Sequence, residues 1–427
     1  MSKFKNIFEL KNFIILWLTQ SFSTLGSAMT NFALIIWSYE ARGSALSTAM
    51  LSVCSYAPYV IMSIFAGALS DRWNKKVTML VCDTAAAFCT LIVLFLHKSG
   101  SLEIWHLYCL NAINGLMNTV QQPALDVARS VIVDKKYYQF TSGLRSISKS
   151  AVDIITPAAS AAVLAFAGLE IVIFFDLATF VIAFISLLCF VKIPEIKEEC
   201  ESDESVLKSA HKGIIYLKNN KGILHLILFL AAINFTASIY NAALPAMVIS
   251  KSGETALGVI STLTGVTMLA GGVMAAVMPK PKSRVRVICI SLFISMSTEN
   301  FILALGGSLP VWCIGVFLGW VCIPIMNTNL DVIMRNSIPI SIQGRVYSVR
   351  NSLQFFTIPL GYMAGGILVD KIFEPFMSLQ SENSMLCAIF GAGKGSGAAL
   401  LFFIIGFIGV MTCIIFSMDK YIWRVEK

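Results

Sequence analysis

Apolar runs of about 20 residues recur along the whole chain, which is the length an α-helix needs to cross a bilayer. Of the 427 residues, 57% are hydrophobic and 13% are charged. Soluble proteins of ordinary composition carry about 25% charged residues. The sequence therefore predicts an all-α membrane protein that crosses the bilayer many times.

Twelve transmembrane helices are predicted, in two pseudo-symmetric six-helix bundles. The N-terminal bundle takes residues 1–191 and the C-terminal bundle takes 223–427, with a polar cytoplasmic linker at 192–222 between them. Similar segments end the fourth span of each half, "MNTVQQPALDV" and "MNTNLDV", which favours duplication of a six-helix unit. The predicted spans are 13–37, 46–69, 77–97, 104–128, 146–167, 170–191, 223–248, 257–278, 286–306, 310–334, 351–370 and 397–418.

The basic residues predict the orientation, because Lys and Arg hold loops on the cytoplasmic side of a membrane. With both the N- and C-termini cytoplasmic, 27 of the 32 Lys and Arg residues fall in cytoplasmic segments. The net charge of +8 is therefore explained by topology, and no nucleic-acid surface is expected. The remaining five are Arg42, Lys98, Lys251, Lys371 and Lys394.

Asparagines within spans predict a central aqueous cavity. They concentrate in spans 1, 4, 7 and 10, and in span 4 they follow the i, i+3, i+4 spacing of one helix face. The alternative is that the amides only connect helices, at about 0.6 kcal/mol each. The predicted substrate-cavity residues, with the aromatic residues expected beside them, are Asn31, Tyr56, Tyr59, Asn111, Asn114, Asn118, Asn234, Asn241, Trp320 and Asn327.

Acidic residues within spans are the candidates for proton coupling, because a carboxylate in the membrane is costly and usually functional. Glu299 lies near the middle of span 9 without a basic neighbour, whereas Asp153 can form an ion pair with the lysine one turn before it. Asp83 is expected to pair with Arg72 or Lys76. Spans 1, 4, 7 and 10 carry no acid at mid-membrane, which favours a neutral or amphipathic substrate.

No catalytic motif, metal site or cofactor is predicted. The four histidines are scattered, and no Cys-x-x-Cys pair occurs. The segment "GAGKGSG" at 391–397 resembles a phosphate loop, but Ala388 stands where the first Gly belongs, and Gly395 follows Lys394 in place of Ser or Thr. We interpret it as the entry to a helix rather than a nucleotide site.

The segment "GALSDRWNKK" at 67–76 resembles motif A of the major facilitator superfamily, G-x-L-[AS]-D-R-x-G-[RK]-[RK]. Asn74 replaces the usual Gly, and Asn tolerates the left-handed turn that this position can require. The resemblance implies a cytoplasmic gate in which Asp71 and its basic neighbours lock one transport state. Arg72 or Lys76 is expected to pair with Asp126 at the end of span 4. The residues assigned to this gate motif are Gly67, Asp71, Arg72, Lys76 and Asp126.

Segments 43–72, 240–250 and 344–370 are most similar to the macrolide-efflux branch of drug exporters, with siderophore exporters nearby. That resemblance implies export by alternating access, driven by the proton gradient. Two local motifs depart from it: Asn111 stands where a span-4 arginine is usual, and the antiporter motif of span 5 reads "TPAASA" at 156–161. Proton antiport is therefore an implication of the family alone.

Three function classes follow from the sequence. The first is a proton-coupled exporter of amphipathic small molecules, macrolide-like or other drugs. The second is an exporter or importer of one natural metabolite such as a siderophore, and the third is a membrane receptor or lipid-handling protein that does not transport. We expect a monomer in the lipid bilayer of a bacterial plasma (inner) membrane, with protons as the second partner.

Overall fold

The computed structural model of the chain describes residues 10–134, 137–193, 206–339 and 342–426, and within these ranges it is helical. Inside the helices, the side chains of several residues are outside the description. They are 63–72, 130, 138, 139, 142, 206–212, 335, 343–345 and 348.

The chain divides into two compact units that are not simply its two halves in sequence. The first unit contains residues 1–37 and 54–206. The second contains residues 38–53 and 207–427, so the end of the first helix and the start of the second belong with the C-terminal residues.

Five long helices precede the linker. The first four match predicted spans 1–4 in order, and the fifth covers predicted spans 5 and 6. They are α1 (Lys11–Arg42), α2 (Ala45–Arg72), α3 (Lys75–Lys98), α4 (Ile104–Ile132) and α5 (Tyr138–Ile185), and α5 ends in a π-helical turn at Ser186–Phe190.

After the linker helix α6 (Val206–Asn219), the remaining helices alternate long and interrupted segments. They are α7 (Lys221–Ser252), α8 (Glu254–Val277), α9 (Arg284–Leu305), α10 (Leu309–Trp320), α11 (Cys322–Ser337), α12 (Gln343–Phe355), α13 (Thr357–Ile367), α14 (Glu374–Ser378), α15 (Met385–Phe390), α16 (Ser396–Ser417) and α17 (Lys420–Trp423).

Gly and Pro explain where the long helices break. Gly168 has φ +79° and interrupts α5 in the short gap predicted between spans 5 and 6. Proline interrupts a helix because it has no backbone N–H to donate to the carbonyl four residues earlier, and because its ring clashes with that carbonyl. Pro324 accordingly follows the break between α10 and α11, and Pro359 follows the break between α12 and α13.

Nine helical segments in the described part of the chain are long and apolar enough to cross a membrane. One of them, Gly143–Phe190, contains two predicted spans. The helices α1 and α4 are not among the nine, although they have 32 and 29 residues, because their sequences are more polar. The chain is therefore an all-helical protein with many membrane-spanning helices.

Small residues permit close helix contacts, as in other membrane bundles. In the first unit, a Cβ at Gly115 of α4 would lie 2.1 Å from the carbonyl oxygen of Ser55 in α2. In the second unit, a Cβ at Gly365 of α13 would lie 2.9 Å from the Ile239 backbone of α7. Neither position can take a larger residue without moving a helix.

Candidate functional site

A cavity of about 360 Å³ lies within the first unit, between α1, α3, α4 and the second part of α5. α1, α3 and α4 each contribute one face, because their lining positions recur about every three or four residues, and α5 contributes Asp176. We call it the polar cavity. Its polar lining residues are Gln20, Ser23, Thr24, Ser27, Thr30, Asn31, Asp83, Thr90, Asn111, Asn114, Asn118, Gln121, Gln122 and Asp176.

Asp83 of α3 is a buried carboxylate that lines this cavity, with 8% of its surface exposed. The Gln20 side-chain amide donates a hydrogen bond of 3.1 Å to one carboxylate oxygen, and the Gln121 amide donates to the other. Two neutral side chains from two helices therefore solvate the carboxylate. The predicted basic neighbour Lys76 donates elsewhere, to the carbonyl oxygens of Leu188 and Val191.

Asp176 of α5 is the second buried carboxylate, with 4% of its surface exposed. The Ser27 hydroxyl donates to one of its oxygens at 2.9 Å, and the Thr90 hydroxyl donates to the other at 3.4 Å. Gly26 permits this approach, because a Cβ there would lie 2.8 Å from the Asp176 Cα. Helix α1 therefore packs directly against the acid.

The polar cavity contains no basic residue among its described lining side chains; the titratable ones are Asp83, Asp176 and Cys89. Two buried polar atoms facing it lack hydrogen-bond partners in the described part of the chain, the Thr30 hydroxyl and the Asn114 carbonyl oxygen. A cavity with carboxylates, free acceptors and no cation is suited to binding a positively charged or hydrogen-bonding species.

The second unit buries one further acid, Glu299 of α9, with 3% of its surface exposed. The Trp320 indole N–H donates a hydrogen bond to it, and Tyr240 packs nearby. Gly319 makes room, because a Cβ there would lie 2.6 Å from the Glu299 Cβ. Glu299 does not line the polar cavity.

A network around Asp370 and Glu374 connects four parts of the second unit. They are the start of α2, the π-helical segment Leu368–Phe373 between α13 and α14, α14 itself, and the start of α16. Asp370 accepts hydrogen bonds from the backbone N–H groups of Ala45 and Leu46 and from the Ser44 hydroxyl. Glu374 accepts the backbone N–H groups that begin α16, at Gly395 and Ala398. The glycine-rich segment that resembles a phosphate loop therefore binds a carboxylate of the chain itself.

Comparison with known proteins adds the family. A sequence profile of the Major Facilitator Superfamily matches residues 16–362. The chain belongs to the major facilitator superfamily. Its members are transporters rather than enzymes, and the chain is accordingly a multi-pass membrane transporter for a small molecule.

Among curated relatives, macrolide efflux protein A of Streptococcus pyogenes is 25% identical over 399 residues, covering 91% of this chain and 96% of the relative. The protein of the same name from Enterococcus faecalis is 25% identical over 331 residues, covering 75% of this chain and 99% of the relative. The predicted resemblance to the macrolide-efflux branch is thereby confirmed.

Solved transporters share the fold. A bacterial homologue of the iron transporter ferroportin, in an inward-facing state, has a TM-score of 0.70 at 16% identity and covers 96% of this chain and 99% of that one. The nucleoside transporter NupG has a TM-score of 0.69 at 14% identity and covers 94% and 98%. At these identities the likeness shows the facilitator fold alone.

The first-half asparagines predicted for the substrate cavity of this facilitator lie together. Asn31, Asn111, Asn114 and Asn118 all line the polar cavity, as the helix-face spacing predicts. The predicted cavity residues do not include Asp83 and Asp176, because the amide lining was predicted from spans 1, 4, 7 and 10 and these acids lie in α3 and α5. The observation that spans 1, 4, 7 and 10 carry no acid at mid-membrane still holds, but α3 and α5 place two carboxylates at the cavity.

The aromatic and second-half residues lie elsewhere. Tyr56 and Tyr59 do not line the polar cavity, and Tyr56 is 42% exposed. Asn234 donates to the Gln354 carbonyl oxygen and so connects two helices of the second unit. Asn241 is half-buried, Asn327 is exposed, and Trp320 binds Glu299.

The gate motif is only partly visible. The side chains of Gly67, Asp71 and Arg72 lie outside the described residues. Asp126 pairs with Arg145 at 2.9 Å, and Lys76 donates to carbonyl oxygens at the end of α5. The structure thus gives Lys76 and Asp126 partners other than each other. Of the candidates for proton coupling, Asp153 is exposed and Glu299 is buried.

Proposed function

We propose that this facilitator exports amphipathic small molecules, of macrolide-like or other drug type, by alternating access of its two halves. The supporting observation is the combination of an amide-lined cavity with similarity to macrolide efflux proteins over 91% of the chain. The amides provide hydrogen bonds for a substrate's polar groups, and the cavity volume falls in the range that small-molecule sites occupy.

Twelve spans with both termini in the cytoplasm are part of this proposal. Nine segments are apolar enough to span, one of them holds two predicted spans, and α1 and α4 have the length to span. In that arrangement the protein is a monomer in a bacterial plasma membrane, and export is driven by protons. The gate motif at 67–76 closes the cytoplasmic side in the outward-facing state.

The discriminating experiment is drug accumulation in a bacterial host from which its own exporters have been deleted. Cells expressing the chain are loaded with labelled erythromycin, and retention is followed with and without a protonophore. We expect lower accumulation in expressing cells and loss of that difference with the protonophore. Unchanged accumulation across a panel of macrolides and lipophilic dyes would reject drug export.

Cavity variants connect transport with the site. Asn114→Leu removes the unpartnered acceptor of α4, and its neighbour Ile113→Ala is a matched control because Ile113 is 44% exposed. We expect the first to reduce export and the second to leave it unchanged. Equal effects of the two substitutions on export would show that transport does not depend on the polar cavity.

The density of amides and carboxylates in the polar cavity favours a second candidate, transport of one polar metabolite. Metabolite profiling of the medium of expressing and non-expressing cells tests it. One compound enriched or depleted outside the expressing cells, without any drug phenotype, would favour this candidate over drug export.

A further inference from the structure

We propose that Asp83 and Asp176 carry the coupling proton in succession, so that the first unit contains a proton path of its own. This inference rests on the proposed proton-coupled transport. It assigns coupling to neither of the residues that the sequence favours, Asp153 and Glu299.

The first argument is the charge of the polar cavity. Among the described residues, each carboxylate receives hydrogen bonds from neutral side chains only, and no basic side chain lines the cavity. A buried carboxylate without a cation is costly, and a proton is the smallest species that neutralises it. The donors still stabilise the ionised form, so both charge states have partners.

The second argument is the level of the two acids along the length of α3, where Asp83 lies on α3 itself and Thr90 marks the level of Asp176. Asp83 lies eight residues from Lys75 at one end of the helix, and Thr90, which contacts Asp176, lies eight residues from Lys98 at the other. At 1.5 Å per residue, each is about 12 Å from its end, with about 10 Å between them. The two carboxylates therefore divide the length of α3 into three roughly equal distances.

The third argument is the space between the acids. A chamber of about 30 Å³ is lined by Asp83 and Asp176 together with Ser23, Ser27 and Thr90. This volume is enough for a water molecule, which needs two to four polar partners. Hydroxyls and one water can pass a proton from the Asp176 carboxyl group to the Asp83 carboxylate, which leaves Asp176 ionised and Asp83 neutral.

The buried hydroxyl of Thr30 supplies the fourth argument. Thr30 is 5% exposed and lines the polar cavity. Its hydroxyl lies close enough to Asp176 to interact with that carboxylate, yet it forms no hydrogen bond of acceptable geometry within the described residues. It can therefore take up a partner when Asp176 changes its charge or a water enters.

The rival acids fit less well. Asp153 has an exposed side chain and can be neutralised by Lys149, one turn away. Glu299 is buried, but its partners are Trp320 and Tyr240, and it does not line the polar cavity.

Infrared spectroscopy tests the proton sites without any substrate. The full chain in lipid nanodiscs is titrated with acid, and the C=O stretching band of protonated carboxyl groups is recorded. We expect Asp83→Asn and Asp176→Asn each to remove part of the titrating band. Glu170→Gln is the reference for the band of a solvent-accessible carboxyl group, because Glu170 is a partly exposed acid of the same unit paired with Lys98. An unchanged band in both Asp variants would overturn the proposal.

Transport tests the role of the site. In everted membrane vesicles, Asp83→Asn should lose gradient-driven erythromycin accumulation while it still exchanges labelled for unlabelled erythromycin, and Asp83→Glu should restore accumulation. Asp83→Glu also tests the site by its own infrared band if the Asn variant does not fold. If Glu299→Gln alone abolished accumulation, or sodium displaced the titrating band, the proposal would be wrong.

The two measurements fail separately. If the wild-type chain moves no compound but the Asp variants lose infrared bands that the wild type shows, the proposed export is wrong and the proton site stands. If the wild type exports drugs and the Asp variants keep both their bands and their accumulation, export stands and the path is wrong.

Discussion

Removing the Asp370 carboxylate should release the first turn of α2. A helix begins with four backbone N–H groups that lack helical partners, and α2 satisfies all four from two sources. Asp370 accepts those of Ala45 and Leu46 at 3.0 and 2.9 Å, and the Ser44 side chain and carbonyl oxygen accept those of Ser47 and Thr48. Two of the four therefore depend on a residue more than 300 positions away in sequence.

The magnitude follows from these contacts. A hydrogen bond to a charged group contributes about 1.5–3 kcal/mol, and about 1.4 kcal/mol is a factor of ten in an equilibrium constant. In Asp370→Ala, the free energy of local opening should fall by about that amount for each of the two amides. Hydrogen exchange of the Ala45 and Leu46 amides should accelerate by roughly 10- to 150-fold.

The assay is hydrogen–deuterium exchange with mass spectrometry on peptides that cover the start of α2. The Ser47 amide, whose acceptor is the Ser44 hydroxyl, provides an internal comparison within the same turn. Glu382→Ala is the control, because Glu382 is an exposed acid in the loop after α14. Wild-type exchange at Ala45 and Leu46 in a folded Asp370→Ala protein would refute the reasoning.

Two further predictions concern packing and pH. A Cβ at Gly271 would lie 2.3 Å from the Val321 carbonyl oxygen, whereas one at Gly272 meets nothing within 4 Å. Gly271→Ala should therefore destabilise the protein by about 1–3 kcal/mol and lower its melting temperature in detergent, while Gly272→Ala should not lower it; equal melting temperatures would contradict this. Glu40 lies outside predicted span 1, and its hydrogen bond with Glu254, with burial and the Glu254 charge, raises the pKa of Glu40 to about 7. The folded state holds this proton more tightly than the unfolded chain, whose pKa is about 4.3, so the stabilisation is complete below that value and is lost as the pH rises through 7. Glu40→Gln should flatten that part of a plot of melting temperature against pH, and an unchanged slope would refute the assignment.

The periodicity of α4 was sufficient to predict its polar face. Asn111, Asn114 and Asn118 occupy successive turns, and all three line the polar cavity. The helix break at Gly168 was also foreseeable, since the gap between two apolar runs fell there. These features are local, and each follows from spacing along one helix.

The partners of the acids were not foreseeable in the same way. Asp83 lies 63 residues from Gln20 and 38 from Gln121, and nothing local connects them. Lys76 was a plausible partner by distance along the chain, but its ammonium group caps the end of α5. One signal was available: Asp83 and Thr90 are two turns apart on one face of α3, with the small residues Ala86 and Ala87 between them on that side. A face of that kind is unlike a lipid-exposed surface.

The two long helices that are absent from the nine apolar segments, α1 and α4, carry most of the polar side chains that line the polar cavity. At 1.5 Å per residue, α1 and α4 are about 48 and 44 Å long, which exceeds the hydrocarbon thickness of about 30 Å. Their amides would be expensive against lipid, because nothing there can satisfy their hydrogen bonds. Facing the polar cavity, two of these amides, Gln20 and Gln121, donate hydrogen bonds to the Asp83 carboxylate. Replacing the polar lining residues of these two helices with leucine would make α1 and α4 easier to recognise as membrane helices, but it would leave the polar cavity with only the polar side chains of α3 and α5.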